Sequence, residues 1–119
     1  MAVSLSLAAM PFSAQAADKM PVKIGDCART TITEIGNRLG HTPGSGSLVM
    51  FALGFFQVDY DQIPEVDQSK VGDPVRVCLV ELPGDCPPGD ERGKIYKTVN
   101  LRTHKSWTMA DSSHMCGGA

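Results

Sequence analysis

The sequence lacks an excess of basic residues. Its 119 residues include 11 Lys and Arg against 13 Asp and Glu, which gives a formal net charge of −2. Proteins that bind nucleic acids usually carry a broad basic surface that contacts the phosphates. The composition therefore indicates no nucleic-acid partner, and any site for an anion must be local.

A membrane-spanning segment and the common catalytic motifs are also missing. About 20 apolar residues are needed to cross a bilayer, whereas the N-terminal apolar stretch covers only residues 3–12. The chain contains no nucleophile elbow, no zinc-protease helix and no phosphate-binding loop. We therefore expect no membrane span and no enzyme. A small hydrolase, using Ser112 with His114 or the carboxylates of Asp59 and Asp61, remains the weakest of the alternatives.

The first 16 residues predict an export signal. They carry no charge and end in Ala14-Gln15-Ala16, which places small residues at the two positions that a signal peptidase recognises. A positively charged start, the third feature of such signals, is missing. We expect cleavage after Ala16, a single mature domain over residues 17–119, and a periplasmic or secreted protein.

The four cysteines favour disulfides over zinc. Their number is even, they have no CxxC spacing, and an exported chain meets an oxidising compartment. Of the three pairings that four cysteines allow, we favour Cys78–Cys86, which would span a turn, and Cys27–Cys116, which would join the two ends of the mature domain.

Hydrophobic patterning predicts a mostly β fold. Several segments are rich in β-branched residues or alternate between apolar and polar positions, and Pro- and Gly-rich turns separate them. The stretch at 48–61 is apolar in its first half, where a short helix is the alternative, and Gly54 predicts a bend within it. Five strands result, at residues 29–35, 48–61, 75–82, 94–102 and 106–109. We predict a small disulfide-stapled barrel or sandwich of five strands, with an OB-like or SH3-like barrel favoured.

The fourth of these strands holds the candidate binding residues. Residues 92–105 contain five basic residues and no acid, and side chains along a strand alternate between its two faces. If Ile95, Val99 and Leu101 face the core, the opposite face presents cations, an aromatic ring and hydrogen-bonding groups. The predicted ligand-binding residues are Lys94, Tyr96, Asn100, Arg102 and Trp107. The alternative is that this is only the solvated face of an amphipathic strand.

These features predict a binding module that recognises a protein or an anionic glycan. A small disulfide-rich β domain has little interior space for a cofactor, so we expect none. The alternative is a copper-handling protein of the cell envelope, because His114, Met115 and Met109 offer ligands that copper prefers. The sequence does not indicate the oligomeric state.

Overall fold

A computed structural model describes residues 19–118 of the chain. The predicted signal peptide and its cleavage site lie outside these residues. The described part contains six strands and one short helix, which are β1 (Cys27–Asn37), β2 (Ser47–Phe51), β3 (Phe56–Asp59), α1 (Pro64–Asp67), β4 (Pro74–Glu81), β5 (Ile95–Asn100) and β6 (Ser106–Ala110).

The six strands form a closed antiparallel barrel in the order β1-β2-β3-β6-β5-β4. Strand β1 is long because two neighbours share it: its first half pairs with β4 and its second half with β2. A register shift between Ile32 and Glu34 separates the two halves, as expected where a β-bulge bends a strand around a barrel.

The prediction of a small, mostly β barrel with disulfides is confirmed, with six strands instead of five. The difference arises at residues 48–61, which form β2 and β3 with a tight turn between them. In this turn the Gly54 amide donates a hydrogen bond to the Phe51 carbonyl, and Gly54 adopts a φ of +84°. Glycine adopts this conformation readily, whereas other residues are strained in it.

The barrel interior is mainly apolar, with a few buried polar side chains, and both of its ends are covered. The strand residues that form the hydrophobic core are Ile32, Val49, Phe51, Val75, Val77, Leu79, Tyr96, Trp107 and Met109. Helix α1 closes one end with the fully buried Val66. The segment before β1 packs on the core through Met20, and the Pro21 carbonyl accepts a hydrogen bond from the Tyr96 hydroxyl at 3.3 Å.

The loop between β1 and β2 depends on a close backbone approach at Gly46. This residue has a φ of +124°, and a Cβ atom placed on it would lie 2.0 Å from the Asp59 carbonyl oxygen. The backbone at Gly46 or at Asp59 would have to move to accept any side chain at position 46.

Within the described residues, 19–118, no helix is long and apolar enough to cross a membrane.

Candidate functional site

Strand β5 exposes to solvent the face that the sequence pattern assigned to the core. Tyr96, Thr98 and Asn100 are buried, with exposed fractions of 2% or less, whereas Lys97 is exposed. The interpretation of the strand's period was right, but its two faces were assigned the wrong way round. The barrel accepts polar side chains on β5 because each of them finds a hydrogen-bonding partner inside.

Gln57 of β3 is the first of these partners, and it lies fully buried inside the barrel. Its amide nitrogen donates to the carbonyl oxygens of Tyr96 at 2.8 Å and Met109 at 2.9 Å. Its amide oxygen accepts from the Thr98 hydroxyl and from the indole nitrogen of Trp107. Trp107, predicted to contact a ligand, instead belongs to the core and is 5% exposed.

Asp73, just before β4, is the second partner. Its carboxylate accepts hydrogen bonds from the Asn100 amide at 2.9 Å, from the Lys70 backbone N–H and from the Arg102 guanidinium. Arg102 contacts both carboxylate oxygens, which is the strong bidentate form of this pair. The Arg102 hydrogen bond, more than any other contact, holds the pKa of Asp73 well below its usual range, although burial opposes it.

The two cations that the sequence assigned to ligand binding are therefore engaged within the protein. Arg102 is bound to Asp73, and Lys94 forms an ion pair with Glu91 at 3.7 Å and donates to the Glu91 carbonyl at 3.1 Å. Only 18% of the Lys94 side chain is exposed. Neither cation projects freely from β5 towards a partner.

The disulfides join different cysteines from those predicted. Cys27 is bonded to Cys78, and Cys86 to Cys116. The first bridge links neighbouring strands, because Cys27 of β1 is the register partner of Cys78 of β4. The pairing of β1 with β4 cannot be deduced from the sequence, and without it a bridge between the two chain ends is the simpler expectation. The number of cysteines and their oxidised state agree with the expectation, since no described cysteine is free.

A group of cations that the sequence reasoning did not single out lies on the outer face of β1, β4 and β5. Arg29, Arg76 and Lys97 are all exposed, and we call them the basic face. Arg29 is the register partner of Arg76, and Lys97 is the register partner of Cys78, two residues further along β4. None of the three forms an ion pair with any residue in the range 19–118.

The two arginines occupy the closer kind of cross-strand position. The Leu79 amide donates to the Asp26 carbonyl, and the Ile32 amide donates to the Asp73 carbonyl. The even-numbered residues of β1 therefore form the hydrogen-bonded pairs with β4. The odd-numbered residues, which include Arg29, form the non-hydrogen-bonded pairs. The Cys27–Cys78 pair, two residues before Arg29, has a Cα separation of 4.0 Å, consistent with that class. Side chains in such pairs approach one another most closely, so the two positive charges are held side by side.

Part of this face was accessible from the sequence. Alternation in β4 places Arg76 and Cys78 on the side opposite Val75 and Val77. The pairing of β1 with β4 could not be deduced, because more than 40 residues separate Arg29 from Arg76 along the chain. The basic face exists only after the barrel closes.

A cleft of about 310 Å³ lies at the end of the barrel that the N-terminal segment covers. Its lining includes Met20, Phe55, Phe56, Lys94, Tyr96 and Asp111. Burial, followed by the negative charges of Asp111 and Glu91, raises the pKa of Tyr96 to about 12. The phenol therefore stays protonated at neutral pH and serves as the hydrogen-bond donor to the Pro21 carbonyl.

The residues proposed for copper do not come together. Met109 is 1% exposed and points into the core, whereas His114 and Met115 are exposed in the C-terminal segment. Among the described residues, no group of three or more His, Cys, Asp or Glu side chains is arranged to hold a metal ion. Asp90, in the loop before β5, forms an ion pair with Arg92 at 2.9 Å.

Comparison with models of protein families, with curated proteins and with solved structures finds no match for this chain.

Proposed function

We propose that this chain is an exported binding module whose basic face recognises an anionic partner, either an acidic protein surface or an anionic glycan. The observation that carries the proposal is the direct cross-strand pairing of Arg29 with Arg76, with Lys97 beside them. The binding class is the one expected from the sequence, but the residues that carry it are different.

The pairing of two arginines has a cost that a binding role explains. Like charges directly opposite one another on a sheet destabilise it, where a favourable pair would contribute roughly 0.2 to 1 kcal/mol. Three of the other described cations, Arg92, Lys94 and Arg102, each contact a carboxylate. The basic face lacks such compensation within residues 19–118, and an external anion would supply it.

The chemistry of the face suits oxyanions. Each guanidinium presents a planar set of donors that matches a carboxylate or a similar oxyanion in bidentate geometry. Exposed hydroxyl groups lie beside the cations, because Thr31 is two residues from Arg29 on β1 and Thr108 of β6 is the register partner of Lys97. A partner that carries several anionic groups would contact two or three neighbouring strands at once.

The test compares two double variants of equal charge. Arg29→Gln with Arg76→Gln removes the paired arginines, whereas Lys70→Gln with Lys105→Gln removes two exposed cations outside the basic face. Retention on immobilised heparin and on immobilised poly-glutamate is measured as a function of NaCl. We expect the first variant to elute from at least one resin at clearly lower salt than wild type, and the control to elute close to wild type, because screened surface attraction depends on the local charges.

The same arginine variant should keep its fold. Removing the repulsion should leave its thermal midpoint unchanged or slightly raised, which separates a loss of binding from a loss of structure. Elution of all three proteins at the same salt concentration would contradict the proposal. The resin that retains wild type more strongly distinguishes a glycan from a protein partner.

Export is the second part of the proposal. The two disulfides are typical of an oxidising, extracellular-type compartment. Expression of the full chain followed by N-terminal sequencing of the processed protein tests the predicted signal, and we expect Ala17 as the first residue. Recovery of the unprocessed chain alone would contradict it.

A further inference from the structure

We propose that the Cys27–Cys78 disulfide is a thiol–disulfide exchange site for small anionic thiols, a reactivity that goes beyond the proposed binding function. The Cys86–Cys116 disulfide lies in a different electrostatic environment and provides an internal comparison. The inference rests on the access to Cys27, the cations around Cys78 and this contrast between the two bridges.

Access to the first bridge is open on the Cys27 side. Cys27 is exposed, whereas Cys78 is only half-buried. Cys27 also lines a surface cleft of about 420 Å³, whose other walls include Lys19, Pro21 and Asp26. An external thiolate can therefore approach the sulfur of Cys27 from solvent. The cleft contains one charge of each sign, on Lys19 and on Asp26.

The cations of the basic face surround the other sulfur atom. Lys97 is the register partner of Cys78 and lies on the same outer face of the barrel. Arg76 is two residues from Cys78 on that face, and Arg29 stands opposite Arg76. Neighbouring cations lower the pKa of a thiol, and a thiol of lower pKa is the better leaving group in exchange. The arrangement favours departure of Cys78 as a thiolate.

The second bridge has no comparable group of cations. An acidic residue precedes the first cysteine of each bridge, Asp26 before Cys27 and Asp85 before Cys86, so these two charges do not distinguish the bridges. The Asp90 carboxylate accepts a hydrogen bond from the Gly117 amide, next to Cys116. The nearby Arg92 is paired with Asp90. A thiolate that leaves from this bridge has no group of unpaired cations beside it comparable to the basic face, so its departure is less favourable than that of Cys78.

The reaction balances as two successive exchanges. A thiolate RS⁻ attacks Cys27 Sγ, the bond between Cys27 and Cys78 breaks, and Cys78 leaves as a thiolate next to Lys97. The product is a mixed disulfide on Cys27. A second RS⁻ attacks the sulfur of the bound thiol, the bond from that sulfur to Cys27 Sγ breaks, and RSSR is released with Cys27 left as a thiolate. One protein disulfide is thus reduced by two electrons while two external thiolates are oxidised to one disulfide.

The barrel should withstand this reaction, because β1 and β4 are also joined by the backbone ladder. Their register continues beyond the bridge from Ala28 and Val77 to Thr31 and Pro74. Opening of the bridge removes a covalent link from a strand pair that other contacts still hold. The folded protein can thus be examined in both states.

The experiment treats the native mature protein with reduced glutathione as the anionic thiol. Aliquots are quenched with acid, alkylated and mapped by peptide mass spectrometry, which gives the opening rate of each disulfide and the site of each adduct. We expect Cys27–Cys78 to open first, with the glutathione adduct on Cys27. Opening of Cys86–Cys116 first, equal rates for the two bridges, or an adduct mainly on Cys78 would overturn the proposal.

Charge variants test whether the cations near Cys78 are the reason that the Cys27–Cys78 disulfide opens first. A change of one pKa unit in a participating thiol alters exchange rates by about threefold, for a Brønsted coefficient of about 0.5. We expect Lys97→Gln to slow opening of Cys27–Cys78 by about threefold or more with glutathione, and by less with the uncharged 2-mercaptoethanol. Lys105→Gln, an exposed cation in the β5–β6 turn, should leave the rate unchanged. Equal rates for wild type and the Lys97 variant would overturn the proposal.

Salt dependence in wild type provides a readout that needs no variant. The opening rate of Cys27–Cys78 with glutathione should fall as NaCl is raised, because salt screens the attraction between the cations and the anionic thiol. A rate that does not depend on salt would contradict the role of the basic face. These measurements use no polyanion, so their outcome is independent of the resin experiment.

Discussion

Gln57 is a single side chain that connects three strands of the barrel. From β3 it donates to backbone carbonyls of β5 and β6 and accepts from the side chains of Thr98 and Trp107. All four of its hydrogen-bonding positions are thereby used. A fully satisfied buried amide stabilises one arrangement of the strands, whereas a partly satisfied one would carry a desolvation cost.

Replacement of this residue by an apolar one of similar size should be strongly destabilising. Gln57→Leu leaves the Trp107 indole N–H and the Thr98 hydroxyl without their acceptor, and two carbonyls without their donor. We expect the free energy of unfolding to fall by more than about 2 kcal/mol, because each buried unsatisfied group costs about 1 to 3 kcal/mol. Urea denaturation measures this loss.

The exposed Gln62 offers a matched control for that change. Its amide donates only to the Asp67 carboxylate at the surface, so Gln62→Leu should change the stability by less than about 0.5 kcal/mol. Equal losses for the two variants would show that the buried hydrogen bonds of Gln57 contribute little.

Asp73 makes a pH-dependent contribution to stability. Its pKa is lowered in the folded protein, chiefly by Arg102, so the unfolded chain binds a proton more readily than the folded one. The stabilisation is therefore fully present above about pH 4, near the ordinary pKa of an aspartate, and is lost as the pH falls below it.

We accordingly expect Asp73→Asn to be less stable than wild type at pH 7, with a difference that shrinks as the pH falls below about 4. Thermal melts across this range measure the difference. Asp67→Asn, which alters an exposed carboxylate, serves as the control and should differ little from wild type at neutral pH. A gap between wild type and Asp73→Asn that stays constant down to low pH would contradict the assigned ion pair.

These buried polar residues also explain what the sequence could not reveal. Residues such as Gln57, Asp73 and Asn100 look like surface residues, because their type is usually exposed. Apart from a few local backbone N–H groups, the partners of their side chains lie 27 to 52 residues away in sequence. The sequence pattern gives only the polarity of each residue. The folded barrel shows that these residues are buried with their hydrogen bonds satisfied inside it.

At the scale of a single strand, β5 shows that an alternating pattern predicts the strand itself but does not predict which of its faces is buried. The segment was correctly predicted as a strand, because it alternates over residues 94–102. The face was assigned from Ile95, Val99 and Leu101, which the structure leaves only half-buried. Alternation fixes the period of a strand, whereas the choice of inner face depends on its neighbours, here Gln57 and Asp73.

The strand pairing also determines which cysteine variants should behave alike. Cys27→Ser and Cys78→Ser each open the bridge between β1 and β4, so we expect them to lower the thermal midpoint by equal amounts. The double Ser variant should be no less stable than either single one. Cys86→Ser and Cys116→Ser should form a second matched pair, because they open the other bridge. Matched behaviour of Cys78→Ser with Cys86→Ser would instead support the pairing expected from the sequence.

Loop closure gives the approximate size of both effects. The two bridges close segments of 51 and 30 residues, for which the chain-entropy relation gives about 4.1 and 3.6 kcal/mol. The first pair of variants should thus be slightly the more destabilised. Non-reducing peptide maps of the wild-type protein give the pairing directly.

For the molecule as a whole, overall charge is a poor guide to surface chemistry. The net charge of −2 excludes a broad basic footprint, but it conceals a face on which three cations lie on neighbouring strands. The sequence did indicate a β barrel and an oxidised set of cysteines. It could not locate the basic face, because the strands that carry it are adjacent only through the closure of the barrel.

The closure of the barrel also shows where the molecule should open most readily. Strands β3 and β6 share a single register pair, Val58 with Ala110, whereas six pairs join β4 to β5. The two amide hydrogen bonds of Gln57 to the Tyr96 and Met109 carbonyls reinforce this short seam. Local opening requires the least free energy where the fewest backbone hydrogen bonds must break together.

Hydrogen exchange followed by NMR tests this prediction residue by residue. We expect the hydrogen-bonded amides of β3 to be less protected than those of β4, and Gln57→Leu to lower protection in β3 and β6 more than in β4. Equal protection in β3 and β4 would mean that the barrel opens only as one cooperative unit. A selective loss in β4 would place the weak point of the barrel at the disulfide-linked strands instead, opposite to the arrangement of its hydrogen bonds.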